Sequence, residues 1–142
     1  MEYKTFNTVT DFEPKRNNRF IVRFPKEFKI ADWCTQSITS PKYVNGEWDT
    51  IKIEFHDLVG YSVSEGLINM IKFLQSDDKN LVEICLEILS PSAEVVDDWS
   101  ITFNKILSVD FGDCDYENDG IKSPILIFKT IDYILKSMKK QK

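Results

Sequence analysis

The order of apolar and polar positions divides this chain into short alternating runs with one helical stretch. "NNRFIVRFP" places Phe20, Val22 and Phe24 on one side and Arg19, Ile21 and Arg23 on the other. A period of two with aromatic and β-branched residues predicts a strand, closed by Pro25. "WCTQSIT" (33–39) predicts a second strand ending at Pro41. "SPKYVNGEW" (40–48) predicts a hairpin loop, because Asn45-Gly46 tolerates the positive φ of a tight turn. "WDTIKIEFH" then alternates Ile51, Ile53 and Phe55 against Lys52, Glu54 and His56.

"SVSEGLINMIKFLQ" changes the period. Ser62-x-x-Glu65 has the form of a capping box, and Leu67, Ile68, Ile71 and Leu74 fall on one helical face. A helix is predicted over residues 62–75, with Gly66 an interior cost unless close packing requires it. "LVEICLEIL" returns to strand period, with Val82, Ile84, Leu86 and Ile88 opposite Glu83, Cys85 and Glu87. A turn in "PSAEVVDDW" leads to two short strands, "WSITF" and "KILSVDF", whose inward residues would be Trp99, Ile101, Phe103, Leu107, Val109 and Phe111. "SPILIFKTIDYIL" closes the pattern with apolar residues on both faces: Ile125, Ile127, Ile131 and Tyr133 on one, Leu126, Phe128 and Ile134 on the other. Burial on both faces follows, against a neighbouring subunit or the helix.

About seven strands and one helix predict a mainly β domain, an antiparallel barrel or sandwich with a flanking helix. The 142 residues suit a single domain, 1–142, with a polar arm at 1–18 and a basic tail at 136–142. No apolar run is long enough to span a bilayer, and the N-terminal residues lack the apolar core of a secretory signal. Synthesis and assembly in a cytoplasm are expected.

Charge changes the picture. The net charge is −5. Residues 1–52 carry +2, residues 53–119 carry −12 and residues 120–142 carry +5. An acidic middle disfavours tight nucleic-acid binding, which needs cations to neutralise phosphates. Acidic and basic segments on one chain favour head-to-tail contact between copies.

Specific chemistry is sparse. Cys34, Cys85 and Cys114 are too scattered for a disulfide frame or a CxxC metal site. "VDFGDCDYENDG" (109–120) contains a kinase-like Asp110-Phe111-Gly112, but no glycine-rich loop or catalytic loop accompanies it. As a calcium loop starting at Asp115 it places Leu126 at the twelfth position, where glutamate is needed; starting at Asp113 it fails at Asn118 and Pro124. His56 has no recognisable nucleophile or partner set. Neither a metal, a cofactor nor an enzymatic activity is expected.

Three segments carry a resemblance. They are "FEPKRNNRFIVRFP" (12–25), "ITSPKYVNGEWDTIKIEFHDLVGYSVSEGL" (38–67) and "DDWSITFNKILSVDFGDCDYENDGIKSPILIFKTIDYIL" (97–135). In this order they resemble the tail-tube proteins of contractile-tailed bacteriophages. "DLVGYSVS" departs from the pattern, where a more proline-rich turn belongs. The resemblance implies a barrel-like β-fold with one flanking helix, shared with type VI secretion tube proteins. It implies hexameric rings stacked into a hollow tube in the virion tail, with DNA passing through the lumen without specific binding. The partners implied are further copies of the chain and the tail sheath, tape-measure and baseplate proteins, with no membrane. The candidate lumen acids are Glu83, Glu87, Asp98, Asp113 and Asp115. The candidate subunit or ring contacts are Tyr43, Trp48, Leu126 and Phe128, with arm 1–18, loop 40–49 and tail 136–142. The alternatives are a tube-fold baseplate adaptor or tube initiator, and a monomeric calcium-dependent binding module.

Overall fold

The alternating runs pair into a six-stranded antiparallel sheet in the order β1-β6-β7-β8-β5-β2, in a computed structural model that describes residues 14–117 and 120–137. Its strands are β1 (Phe20–Arg23), β2 (Thr35–Ile38), β5 (Ile51–Phe55), β6 (Val82–Leu89), β7 (Val95–Asp110) and β8 (Ile125–Ser137). The sheet curls into a nearly closed barrel around one core. A second, two-stranded sheet joins β3 (Tyr43–Val44) to β4 (Glu47–Trp48). Asn45 and Gly46 both take positive φ, 53° and 83°, as the hairpin reading requires.

Strict alternation supplies the inner face: Val82, Ile84 and Leu86 on β6, Ile51, Ile53 and Phe55 on β5. Bulges alter it elsewhere. "WSITF" and "KILSVDF" form one continuous strand, β7, whose pairing with β8 slips at Phe103/Lys105 and Ile106/Ser108. The slips carry Ile106 and Val109 inward with Ile101 and Phe103, and leave Leu107, expected inside, exposed. On β8, Thr130 pairs with Phe103 and Asp132 with Thr102, so Ile131 is extruded. Tyr133 therefore joins the inner face with Leu126 and Phe128, while Ile131 and Ile134 stand exposed.

This corrects two expected contact residues. Leu126 and Phe128 are fully buried within their own chain, and the Phe128 ring stacks on Phe103 at 3.9 Å and 16°. They hold the barrel together and present nothing to a neighbour.

Helix α1 (Val63–Ser76) closes one flank of the core. Its buried face is Val63, Gly66, Leu67 and Met70, with Phe73 and Leu74 packed alongside; Ile68, expected on that face, is exposed. Ser62 occupies the N-cap position but makes no side-chain cap bond. Asp57 takes that role from six residues upstream: Val63 N–H donates to its Oδ1 at 2.9 Å and Ser64 Oγ–H to its Oδ2 at 2.8 Å. Gly66 is explained by contact. A Cβ there would lie 2.6 Å from the Phe28 carbonyl oxygen and 2.6 Å from Ile30 Cγ1. The backbone at 28–30 thus crosses the helix where only glycine fits. Among the described residues no helix is long and apolar enough to cross a membrane.

Strands β1 and β2 are the two edges of the sheet. At one end, Arg23 of β1 is ion-paired with Asp32 in the short 3-10 turn Asp32–Cys34 before β2. The other end of the seam opens into a cleft.

Candidate functional site

The outer face of β6, β7 and β8 gathers the charge that the sequence left scattered. Because strand residues alternate, Glu83 and Glu87 point away from the core formed by Val82, Ile84 and Leu86. The register places Glu87 opposite Asp98, Cys85 opposite Ser100 and Glu83 opposite Thr102. On the far side of β7, Asp98 faces Lys136, and Thr102 faces Asp132. Three of the five candidate lumen acids, Glu83, Glu87 and Asp98, therefore share one face.

Two of these acids, Glu83 and Glu87, are held in place. Ser100 is buried and its Oγ–H donates to Glu83 Oε2. Arg23 Nε–H donates to Glu87 Oε2 at 3.0 Å. The guanidinium is held above its ordinary pKa by that bond first, against the opposing effect of burial, with Asp32 adding to the rise. The second oxygen of Glu87 and Oδ1 of Asp98 are buried and accept no hydrogen bond from the described residues. Cys85 sits among them, its thiol pushed up first by burial and then by Asp98, Glu83 and Glu87.

Asp113 and Asp115 lie elsewhere, exposed in the loop joining β7 to β8. Asp115 Oδ1 accepts Glu117 N–H at 3.0 Å, and Asp110 Oδ1 accepts Gly112 N–H at 2.8 Å. Gly112 adopts φ 88°, so the loop needs a glycine there for its turn. Asp119 lies outside the described residues. Among the described residues no three His, Cys, Asp or Glu side chains converge as metal ligands would.

The hairpin aromatics divide. Trp48 packs on Tyr133 with centroids 4.3 Å apart, and Tyr133 meets Trp99 at 6.1 Å. Trp48 thus pins the β3–β4 hairpin to the barrel. Tyr43 meets Trp48 at 5.1 Å but is mostly exposed, and its hydroxyl donates to the Gly46 carbonyl at 3.1 Å. Most of the N-terminal arm (1–13) and of the basic tail (138–142) lie outside the described residues.

Sequence reasoning missed Arg23 and Asp132 as members of the charged face. Their alternation was legible, but which strands stand side by side was not.

The described residues thus present a charged outer face over an apolar interior. No family model matches the chain, and no curated relative does. Solved structures do match. One is a chain of an extracellular contractile injection system, the PVC sheath-tube complex in the extended state: TM-score 0.68, 16% identity, covering 97% of this chain and 99% of that one. The chain has a fold found in contractile injection systems. A chain of the PVC sheath/tube terminator matches with TM-score 0.63 and 16% identity, covering 88% of this chain and 98% of the other. A chain of the anti-feeding prophage baseplate matches with TM-score 0.60 and 14% identity, covering 90% and 99%. At these identities the likeness is one of fold. Chains of this fold thus occur in structures of a sheath-tube complex, a sheath/tube terminator and a baseplate.

Proposed function

We propose that the chain is a structural subunit of a contractile tail, forming hexameric rings that stack into a tube whose lumen conducts DNA. The observation that carries this reading is the end-to-end likeness to a chain of a sheath-tube complex, covering 97% of this chain and 99% of that one. The acidic face fits the role. A wall carrying Glu83, Glu87 and Asp98 repels phosphates, so nucleic acid slides along it without sticking. The role is non-enzymatic, its place is the tail of a virion, and its partners are further copies with the sheath, tape-measure and baseplate proteins.

A second reading is a tube-fold adaptor or initiator at the baseplate. The baseplate and terminator chains favour it, since both have this fold. Copy number separates the two: many rings per particle for a tube, about one ring for an adaptor.

Sedimentation velocity of the purified chain tests the ring. Six copies of 16.6 kDa give a species of about 100 kDa, or multiples of it. A single 16.6 kDa species at every concentration would contradict the proposal.

A further inference from the structure

The tip of the β3–β4 hairpin carries a chemistry that its turn does not use. Of the asparagines in the chain, Asn45 alone is followed by glycine. A residue without Cβ leaves its backbone nitrogen open to approach from the preceding side chain. Both residues are exposed, and a Cβ built on Gly46 would meet nothing within 4 Å. The Asn45 carboxamide makes no hydrogen bond to the other described residues. The other described asparagines are placed differently. Asn80 donates to the Phe73 carbonyl at 2.8 Å and to Ser76 Oγ at 3.0 Å, and Leu81 follows it. Asn69 lies inside α1 before Met70, and Asn104 inside β7 before Lys105, which pairs with Lys129. Asn17 and Asn18 precede Asn18 and Arg19, whose side chains crowd the nitrogen.

The tip is also lightly tied. Its strands pair only through Tyr43 with Trp48 and Val44 with Glu47, in a sheet separate from the six-stranded one. Trp48, packed on Tyr133, anchors the end away from the tip. A two-stranded hairpin is marginal by itself, so its tip opens locally while the barrel stays folded. Opening matters for the chemistry. Two residues at φ 53° and 83° joining paired strands form a type I′ turn, whose backbone directs the Gly46 nitrogen away from the Asn45 side chain.

We propose that Asn45 is a site of spontaneous covalent modification, in which the opened turn deamidates through a cyclic imide. The Gly46 nitrogen attacks Asn45 Cγ. A bond forms between them, the bond from Cγ to Nδ2 breaks, and ammonia leaves with the Gly46 amide proton. Water then opens the five-membered ring. Attack at Cγ gives aspartate, and attack at the main-chain carbonyl gives an isoaspartyl link through the side-chain carbon. No electrons are transferred, and water is the co-reactant. Both products place a new carboxylate beside Glu47 in the sequence. The isoaspartyl product also lengthens the backbone by one carbon, so the two-residue turn and its register between Tyr43 and Trp48 no longer fit. The site acts whether or not the chain builds a tube. Loop 40–49 is a candidate contact segment, so aged and fresh chains would differ there.

The test is to hold the folded full chain in mildly alkaline buffer at physiological temperature and follow its tryptic peptides by mass spectrometry. Exchange of NH2 for OH adds about 1 Da. The peptide of residues 43–52 is expected to gain that mass before any other asparagine-containing peptide, as two products separable by chromatography. Gly46→Ala, which sets a methyl group beside the attacking nitrogen, is expected to slow the gain by about tenfold or more. First reaction at another asparagine, or an unchanged 43–52 segment in the folded chain while the free 43–52 peptide reacts, would overturn the proposal. So would Gly46→Ala reacting as fast as the parent chain, or a single aspartyl product, since ring opening gives two.

Discussion

Glu87 of β6 and Asp98 of β7 stand directly opposite each other on the outer face, and each keeps a buried carboxylate oxygen that accepts no hydrogen bond from the described residues. Like charges in such a pair destabilise a sheet by up to about 1 kcal/mol. Arg23 answers one oxygen of Glu87, and Lys136 stands in register beyond Asp98. Asp98→Asn is therefore expected to raise unfolding stability by about 0.5 kcal/mol in urea melts at neutral pH. A loss of 1 kcal/mol or more would mean that the Lys136 side of the pair dominates. If the face lines a lumen, the acid is retained there against stability.

The buried thiols and phenol give an alkaline limit. Cys34, Cys85 and Tyr133 all titrate above their ordinary values of 9.0, 9.0 and 10.0, burial being the first cause for each. The folded chain favours their neutral forms, so their contribution is complete below pH 9 and is lost as pH rises through the raised values. Melting temperature is expected to fall from about pH 9 upward, and less steeply in Cys85→Ala. A rise between about pH 8 and pH 10 would contradict this assignment.

Gly66→Ala tests the crossing of the 28–30 segment over α1. Helix propensity alone would make alanine better by about 1 kcal/mol. The Phe28 carbonyl, 2.6 Å from the new Cβ, is backbone and cannot swing aside. A net loss of about 1–3 kcal/mol is expected in chemical denaturation. A gain would show that the segment yields.

Asp57→Ala is expected to cost about 1–2 kcal/mol, because the first turn of α1 loses the acceptor for Val63 N–H and Ser64 Oγ–H. Ser62→Ala is expected to be nearly neutral, since its side chain makes no cap bond. The reverse order in urea melts would restore the capping box.

These two variants also mark what the chain makes legible. Strand period located β1, β5 and β6, and Asn45-Gly46 located the hairpin, because those signals are local. Ser62-x-x-Glu65 marked the right helix start but the wrong acceptor, since Asp57 reaches it through a turn that no periodicity reveals. The slips opposite Phe103 and the extruded Ile131 escaped for the same reason. A bulge is set by the partner strand, and one extra residue exchanges the faces. That exchange put Tyr133 inside. Leu126 and Phe128 looked like contact residues because β8 is apolar on both faces, yet its inner face alone takes them. At the charged face, Glu83, Glu87 and Asp98 were each legible as outward acids. Their gathering, and the place of Arg23 among them, depended on strand neighbours.

Assembly into rings is open to direct view by electron microscopy of the purified chain at increasing concentration. Six-fold rings are expected and, with rising concentration, hollow tubes with an acidic bore. Monodisperse single barrels at the highest concentrations, with no ring even beside preformed tail tubes, would contradict it.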